Sequence, residues 1–346
     1  MTQRIIYLIL LFILTLALLI VACGDNSTEP DNSTEPDEIQ FPRFLQIDVE
    51  PAWSPDGERI VYLHGRFTDC DGNLTPDPSG LYLINRDGTD KTLLIAGSNF
   101  DPDWSPDGEW ITFGAGARIY KIRADGDSLT QLTFESRNFF PAWSPDGKQI
   151  AFSRSICDGD STCGLWITNV EDSITSFLTG YALFPEWHPV SNKILYRTRA
   201  GTKLGEVIGD TLWLFDLEDR SKGFLTYLTD INQTNSYFKY SRDGGMILFV
   251  SQPYAAYMQL WSMSSDGENR RQLTQRSGWA GDWSPDAQQI VFTNPDNGWL
   301  WLMDSDGSNW RQLTFIENDS ICIPEPLSIF SILESIPEIN VYDNFE

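Results

Sequence analysis

Two histidines, His64 and His188, are all that this 346-residue chain offers for imidazole chemistry. General-base, nucleophilic or zinc chemistry needs a histidine beside a nucleophile or carboxylate, or two histidines at helical spacing. No His-Glu-x-x-His and no Gly-x-Ser-x-Gly occurs. His188 stands where sister segments carry a serine, and His64 ends an apolar strand run, so both read as structural. Gly114-Ala115-Gly116-Ala117 begins like a dinucleotide-binding loop but lacks the third glycine and the following helix, and reads as a turn between strands. Asp69-Cys70-Asp71-Gly72-Asn73-Leu74-Thr75-Pro76-Asp77 alternates oxygen ligands in the manner of a Ca²⁺ loop. Its sixth position is Leu74 instead of glycine and no glutamate follows at the twelfth, so it reads as an ordinary polar loop. No catalytic residue, metal or cofactor is assigned.

Binding chemistry is better represented. Phe100, Phe139, Phe140, Tyr181, Phe184, Tyr237 and Trp279 occur just ahead of a recurrent proline-aromatic motif, with Arg137, Arg276, Asn99, Asn138 and Asn235 nearby. Aromatic rings with a few polar groups suit a recognition surface.

The motif that locates these residues returns six times: PAWSPDG at Pro51–Gly57, PDWSPDG at Pro102–Gly108, PAWSPDG at Pro141–Gly147, then PEWHPVS at Pro185, FKYSRDG at Phe238 and GDWSPDA at Gly281. The anchor aromatics Trp53, Trp104, Trp143, Trp187, Tyr240 and Trp283 are spaced by 51, 39, 44, 53 and 43 residues. Ser-Pro-Asp-Gly has type I turn chemistry, and an apolar strand run follows it. A second half, LYLINRDG, IYKIRADG, LWITNVED, LWLFDLED, LWSMSSDG or LWLMDSDG, completes each unit, and five of the six end in Leu-Thr. Four strands per unit, repeated at this period, predict an all-β, six-bladed β-propeller of four-stranded antiparallel blades. An open β-solenoid is the other arrangement such repeats permit, but solenoid repeats are shorter and reverse less often. The loops entering each first strand would line the mouth of a central channel. Some of the aromatics named above would tuck between blades and the rest would form an aromatic-rimmed face.

W-S-P-D-G-x-x-I-x-F followed by L-W-x-x-x-x-D-G-x-x-x-R-Q-L-T resembles the repeat of TolB-like (WD-like) propellers, over about 270 residues from Val49 to Phe315. The resemblance implies the propeller fold and an envelope interaction platform. The N-terminal α/β domain of TolB-type proteins has no counterpart here, so their partners are not carried over. Some related propellers are metal-dependent lyases or carry a peptidase domain. An enzyme would need acids converging in the channel.

Arg4, an apolar run from Ile5 to Ala22 and the box Ile20-Val21-Ala22-Cys23 resemble a bacterial lipoprotein signal, which implies cleavage before Cys23 and lipidation of that residue. An uncleaved membrane-spanning helix is the competing reading of the run. The tandem NSTEPD at Asn26–Asp31 and Asn32–Asp37 is polar and acidic and cannot bury a core, so it predicts a disordered tether. The formal charge of −25 argues against nucleic acid and anionic headgroups. An extracytoplasmic chain permits disulfides: Cys157 and Cys163 flank a short loop in the third unit, and Cys70 and Cys322 fall at one face of neighbouring blades. A Cys70–Cys322 bridge, or the segment Phe41–Ile47 pairing at an edge, would close the ring, because each blade is complete within its own segment.

The domains expected are a signal peptide over 1–22, an acidic tether over 23–40, the propeller over 41–315 and a tail over 316–346, either docked on the propeller or kept for a partner. The expected function is a non-catalytic, monomeric protein- or peptide-binding propeller, lipid-anchored in the cell envelope at the outer membrane. The alternatives are capture of a small ligand such as a glycan or peptide and, last, a lyase or hydrolase.

Overall fold

The second strand of each repeat is an apolar run without alternation, as in RIVYLHGR at Arg59–Arg66 and QIAFSR at Gln149–Arg154. A strand of that kind is stable only with both faces covered, and the computed structural model shows what covers them. It describes residues 46–66, 78–135, 137–155, 163–198, 202–203, 206–207, 210–228, 234–252, 258–275, 278–294 and 297–315. These form six four-stranded antiparallel sheets and one two-stranded ribbon, with no helix among the described residues. The first strands are Gln46–Trp53, Asn99–Trp104, Asn138–Trp143, Ala182–Trp187, Thr234–Tyr240 and Trp279–Trp283. Each touches the first strands of both neighbouring sheets, so together they form the inner wall of a closed six-bladed ring.

Six hydrophobic clusters fill the six junctions between blades. In blade one, Val61 and Leu63 pack with Trp104, Ile111 and Phe113 of blade two. Ile60 and Tyr62, the alternate residues, pack with Val291 and Leu300 of blade six. The two-residue periodicity of a strand thus sends successive side chains to opposite neighbours. Truncating a buried ring such as Phe113 would cost about 3–5 kcal/mol.

The Ser-Pro-Asp-Gly turns are built by side chains. Ser54 Oγ donates to Asp56 Oδ1 at 2.6 Å and accepts from the Arg59 N–H at 2.9 Å, while Asp56 Oδ1 also accepts from the Glu58 N–H. The Gly57 N–H closes the turn on Ser54 O, and its φ of 74° is the left-handed geometry glycine tolerates. Pro285 of blade six lies against Gly57, Pro55 against Gly108 and Pro106 against Gly147, so each turn also seats the blade before it.

Blade four departs from this pattern. His188 Nδ1 accepts from the Val190 N–H at 3.4 Å in the serine's place, Val190 replaces the aspartate, and Ser191 replaces the glycine. Pro145 of blade three therefore meets no glycine. A cleft of about 890 Å³ opens at that junction, lined by Pro145, Gln149, Trp187, Val190, Ser191 and Asp216 among others.

Among the described residues no strand is shared between the ends of the ring, in line with the repeat register. Gln46 and Ile47 pair with Arg66 and Gly65 at the start of the first strand of blade one. Blade six holds blade one directly: the Asp48 N–H donates to Gly298 O at 2.7 Å, Thr293 Oγ1 donates to Asp48 O at 3.1 Å, and the Trp53 N–H donates to Asp282 Oδ2 at 2.8 Å. Cys70, Cys322, residues 41–45 and the tail lie outside the described residues.

Candidate functional site

The inner wall is irregular at one repeated point. Every first strand carries a register break ahead of its anchor aromatic. The third residue before that aromatic is left-handed in all six blades: Glu50, Asp101, Phe140, Phe184, Tyr237 and Ala280 have φ between 41° and 64°. A non-glycine residue there costs about 1–2 kcal/mol. That strain is held by the ring, and it marks the wall as a place where side chains are aimed and not merely packed.

Aimed at the axis are the residues three and one before the aromatic. Lys239 Nζ, from blade five, reaches Asp103 Oδ1 of blade two at 2.9 Å and Glu186 Oε2 of blade four at 3.3 Å. Glu50 Oε2 accepts from the Asp101 N–H at 2.7 Å, Asp103 Oδ2 from the Trp143 N–H at 2.8 Å, and Glu186 Oε1 from the Tyr240 N–H at 3.4 Å. Asp282 accepts from the Trp53 N–H, and Tyr237 Oη reaches Pro51 O at 3.5 Å across the channel. Each of these carboxylates therefore takes a backbone donor from the following blade. Between Asp101, Phe140, Phe184, Glu186, Tyr237 and Lys239 remains a cavity of about 40 Å³, room for one or two water-sized groups.

Five carboxylates, Glu50, Asp101, Asp103, Glu186 and Asp282, share the axis with one ammonium. Burial pushes Glu50 up to about 7, against the backbone bond that favours its ion. Burial also raises Glu186 to about 8, with Lys239 pulling it down and Asp103 and Asp282 pushing it further up. Asp282 is raised to about 6 by burial. Asp101 is lifted well above the carboxylate range by burial and by Glu50 beside it. Burial works against the Lys239 ammonium, but Asp103 and Glu186 outweigh it and hold Lys239 well above its ordinary value.

Sequence reading did not single out these acids or Lys239. Their signal was present as acidic residues one or three places before an anchor aromatic. The acids that an enzyme would need do converge in the channel.

The aromatics named from sequence lie mostly in the first strands themselves and not in the loops that enter them. Phe140, Phe184 and Tyr237 line the axial cavity. Phe100 lies over Gly114 of its own blade and stacks on Phe139, 5.9 Å between centroids. Phe139 meets Phe140 at 6.2 Å and Phe140 meets Phe184 at 4.0 Å, a chain of rings across blades two to four. Trp279 packs on the cluster between blades one and two. Tyr181 is in an entering loop and is 83% exposed. Arg137 is half-buried, and its carbonyl accepts from the Ser155 N–H.

Two of the three asparagines turn inward. Asn99 Nδ2 donates to Gly97 O, and Asn138 donates to Glu135 O while accepting from Arg154 Nε. Neither is a donor at the mouth. Arg276, Cys23 and Cys157 lie outside the described residues, as does the side chain of Asn235; Cys163 immediately precedes the third strand of blade three.

The histidines are structural in geometry. His188 shapes its turn and packs 4.9 Å from the Tyr240 ring, and burial lowers its pKa. His64 is fully buried, with Nδ1 2.7 Å from Asp48 Oδ1. Gly116 and Ala117 are both left-handed between paired Ala115 and Arg118, which makes the expected tight hairpin turn.

Residues 42–209 match the model of the TolB beta propeller domain. Among curated proteins, the uncharacterized protein Atu1656 of Agrobacterium fabrum is 33% identical over 88 residues, 24% of this chain. The match spans about a quarter of that relative's length, 27%. Among solved structures, TolB from Acinetobacter baumannii aligns with a TM-score of 0.60 at 18% identity, covering 72% of this chain and 62% of that one. An oligogalacturonate lyase in complex with manganese aligns with a TM-score of 0.52 at 12% identity, covering 81% and 80%. At such identities the structural likeness speaks to fold alone. The domain match, the structural neighbours and the six four-stranded blades agree: this chain is a six-bladed β-propeller whose residues 42–209 match the TolB beta propeller domain.

Proposed function

We propose that the chain is a cell-envelope lipoprotein whose propeller is a non-catalytic platform for a protein or peptide partner, tethered at the outer membrane through Cys23. The observation that carries this reading is how the axial acids are used. Glu50, Asp103, Glu186 and Asp282 each accept a backbone N–H from the next blade, and Lys239 ties two of them together. Groups committed to holding blades, around a cavity of about 40 Å³, leave no room for an organic substrate. The free surface is the face that carries the exposed Tyr181 and the linked rings from Phe100 to Phe184. The apolar run that ends at Cys23 supports the anchor, and the disulfide-bonded state of Cys163 supports the local Cys157–Cys163 bridge.

Crosslinking pull-down from native membranes tests the reading, with a Tyr181→Ala/Phe139→Ala variant beside the wild type. Trp279 is avoided because it packs inside the ring. A discrete partner lost in the variant is the expected result; the same partner set with both proteins would count against this face.

The cleft between blades three and four favours a second reading, capture of a small glycan or peptide. Its volume of about 890 Å³ and its mixture of Trp187, Gln149, Asn169 and Asp216 suit a polar ligand. Affinity for isolated sugars on a glycan array would support that reading over the first.

A further inference from the structure

We infer that the axial cavity takes a primary ammonium group, supplied by a lysine side chain or a free amino terminus of the bound partner. This deepens the reading of the propeller as a binding platform and rests on it. The cavity's size sets the first limit: about 40 Å³ admits a water-sized head group and excludes a guanidinium or a sugar ring. Its lining sets the chemistry. Phe140, Phe184 and Tyr237 present aromatic rings, and Asp101 and Glu186 present carboxyls. Aromatic faces beside carboxylates recognise organic cations.

Asp101 supplies the independent sign that something is missing. Its carboxyl accepts the Phe140 N–H, yet Oδ2 is shut off from water and has no hydrogen-bond partner. A buried acceptor left so costs about 1–3 kcal/mol and calls for a donor. The grouping points the same way: among the described residues, Glu50, Asp101, Asp103, Glu186 and Asp282 share Lys239 as their ammonium, and a second cation beside Asp101 would favour the carboxylate that burial disfavours. The ring already shows how it seats an ammonium: Lys239 Nζ lies 2.9 and 3.3 Å from two carboxylates on the same axis. A divalent metal is a poorer fit, because no group of three or more His, Cys, Asp or Glu among the described residues is arranged to hold one. The chain's charge of −25 favours a cationic partner from a distance.

The test is calorimetric titration of the full chain at pH 8 and low salt with Nα-acetyl-lysine amide and with glycinamide, against neutral Nα-acetyl-norleucine amide. The first two probes separate the side-chain source from the terminal one. Asp101→Asn removes the ionisable carboxyl and keeps a residue type that tolerates φ of 51°. Phe140→Leu, which weakens the aromatic wall without touching a carboxylate, is the second variant. Binding of at least one ammonium probe, no binding of the norleucine amide, and affinity about tenfold weaker in Asp101→Asn are expected, the effect of one charge-assisted hydrogen bond. No heat from either ammonium probe, or equal affinity in wild type and both variants, overturns the inference. A partner still captured by a chain that binds neither probe would sink this inference alone and leave the platform reading standing.

Discussion

Glu186→Gln should flatten the pH dependence of folding. In the folded ring Glu186 keeps its proton up to about pH 8 because burial disfavours its ion, whereas a glutamate in the unfolded chain ionises near its ordinary value of 4.5. Between those values the folded chain holds a proton that the unfolded chain has lost. Stability from this group is therefore fully present at low pH and declines as pH rises towards 8. Each pH unit in that window is worth up to about 1.4 kcal/mol per proton, tapering near the folded pKa, so Glu186 accounts for a loss of about 2.3 kcal/mol between pH 6 and 8. Glu50, raised to about 7 by burial, adds about 1.4 kcal/mol in the same direction over the lower half of the window. Glutamine keeps an acceptor for the Tyr240 N–H and removes the titration. Urea unfolding followed by tryptophan fluorescence at pH 6, 7 and 8 measures both proteins. Over this range the wild type should lose about 2 kcal/mol more than the variant. Parallel lines, or a wild type that gains stability with pH, would refute the claim that the axis holds protonated carboxyls.

Asp282→Ala leaves the Trp53 N–H without its acceptor at the junction of blades six and one, and should lower the unfolding free energy by about 1–3 kcal/mol, with Asp282→Asn costing less. Gly114→Ala would drive a methyl group into the Phe100 ring; a loss of about 1–3 kcal/mol is expected from chemical denaturation, largely recovered by adding Phe100→Leu. Restoring the blade-four turn with Val190→Asp/Ser191→Gly should raise the melting temperature by a few degrees and narrow the cleft beside Pro145, read as weaker binding of any ligand it takes. Cys23→Ser should move the protein from the membrane fraction to the soluble one on fractionation.

The fold was legible because its determinants are local and repeated. Ser54, Asp56 and Gly57 make their turn with each other, so a seven-residue motif suffices to find it, and six copies spaced by 39 to 53 residues leave little choice but a ring of blades. The degenerate fourth copy was equally visible as His188-Pro189-Val190-Ser191, although the cleft beside it depends on Pro145, a neighbour in the preceding blade, and could not be read from one segment. The axis was not legible for a related reason. Lys239 meets Asp103 and Glu186 only because three first strands, distant in sequence, converge. In a single strand an acid next to an anchor tryptophan looks like any solvated aspartate. The aromatic residues were found by type, but the register break in each first strand decides which of them face the cavity and which pack on the blades. That break adds one residue between Phe100 and Asp103 and cannot be inferred from alternation.

Photo-crosslinking at two positions tests the binding account most directly. Tyr181, 83% exposed, and Val190, 69% exposed, lie at opposite ends of the same first strand of blade four and so on opposite faces of the ring. A benzophenone amino acid placed at each, in the full-length chain in whole cells, reports which face meets a partner. The account predicts a discrete protein adduct from position 181 and none from position 190. An adduct from position 190 alone, or none from either, would contradict it.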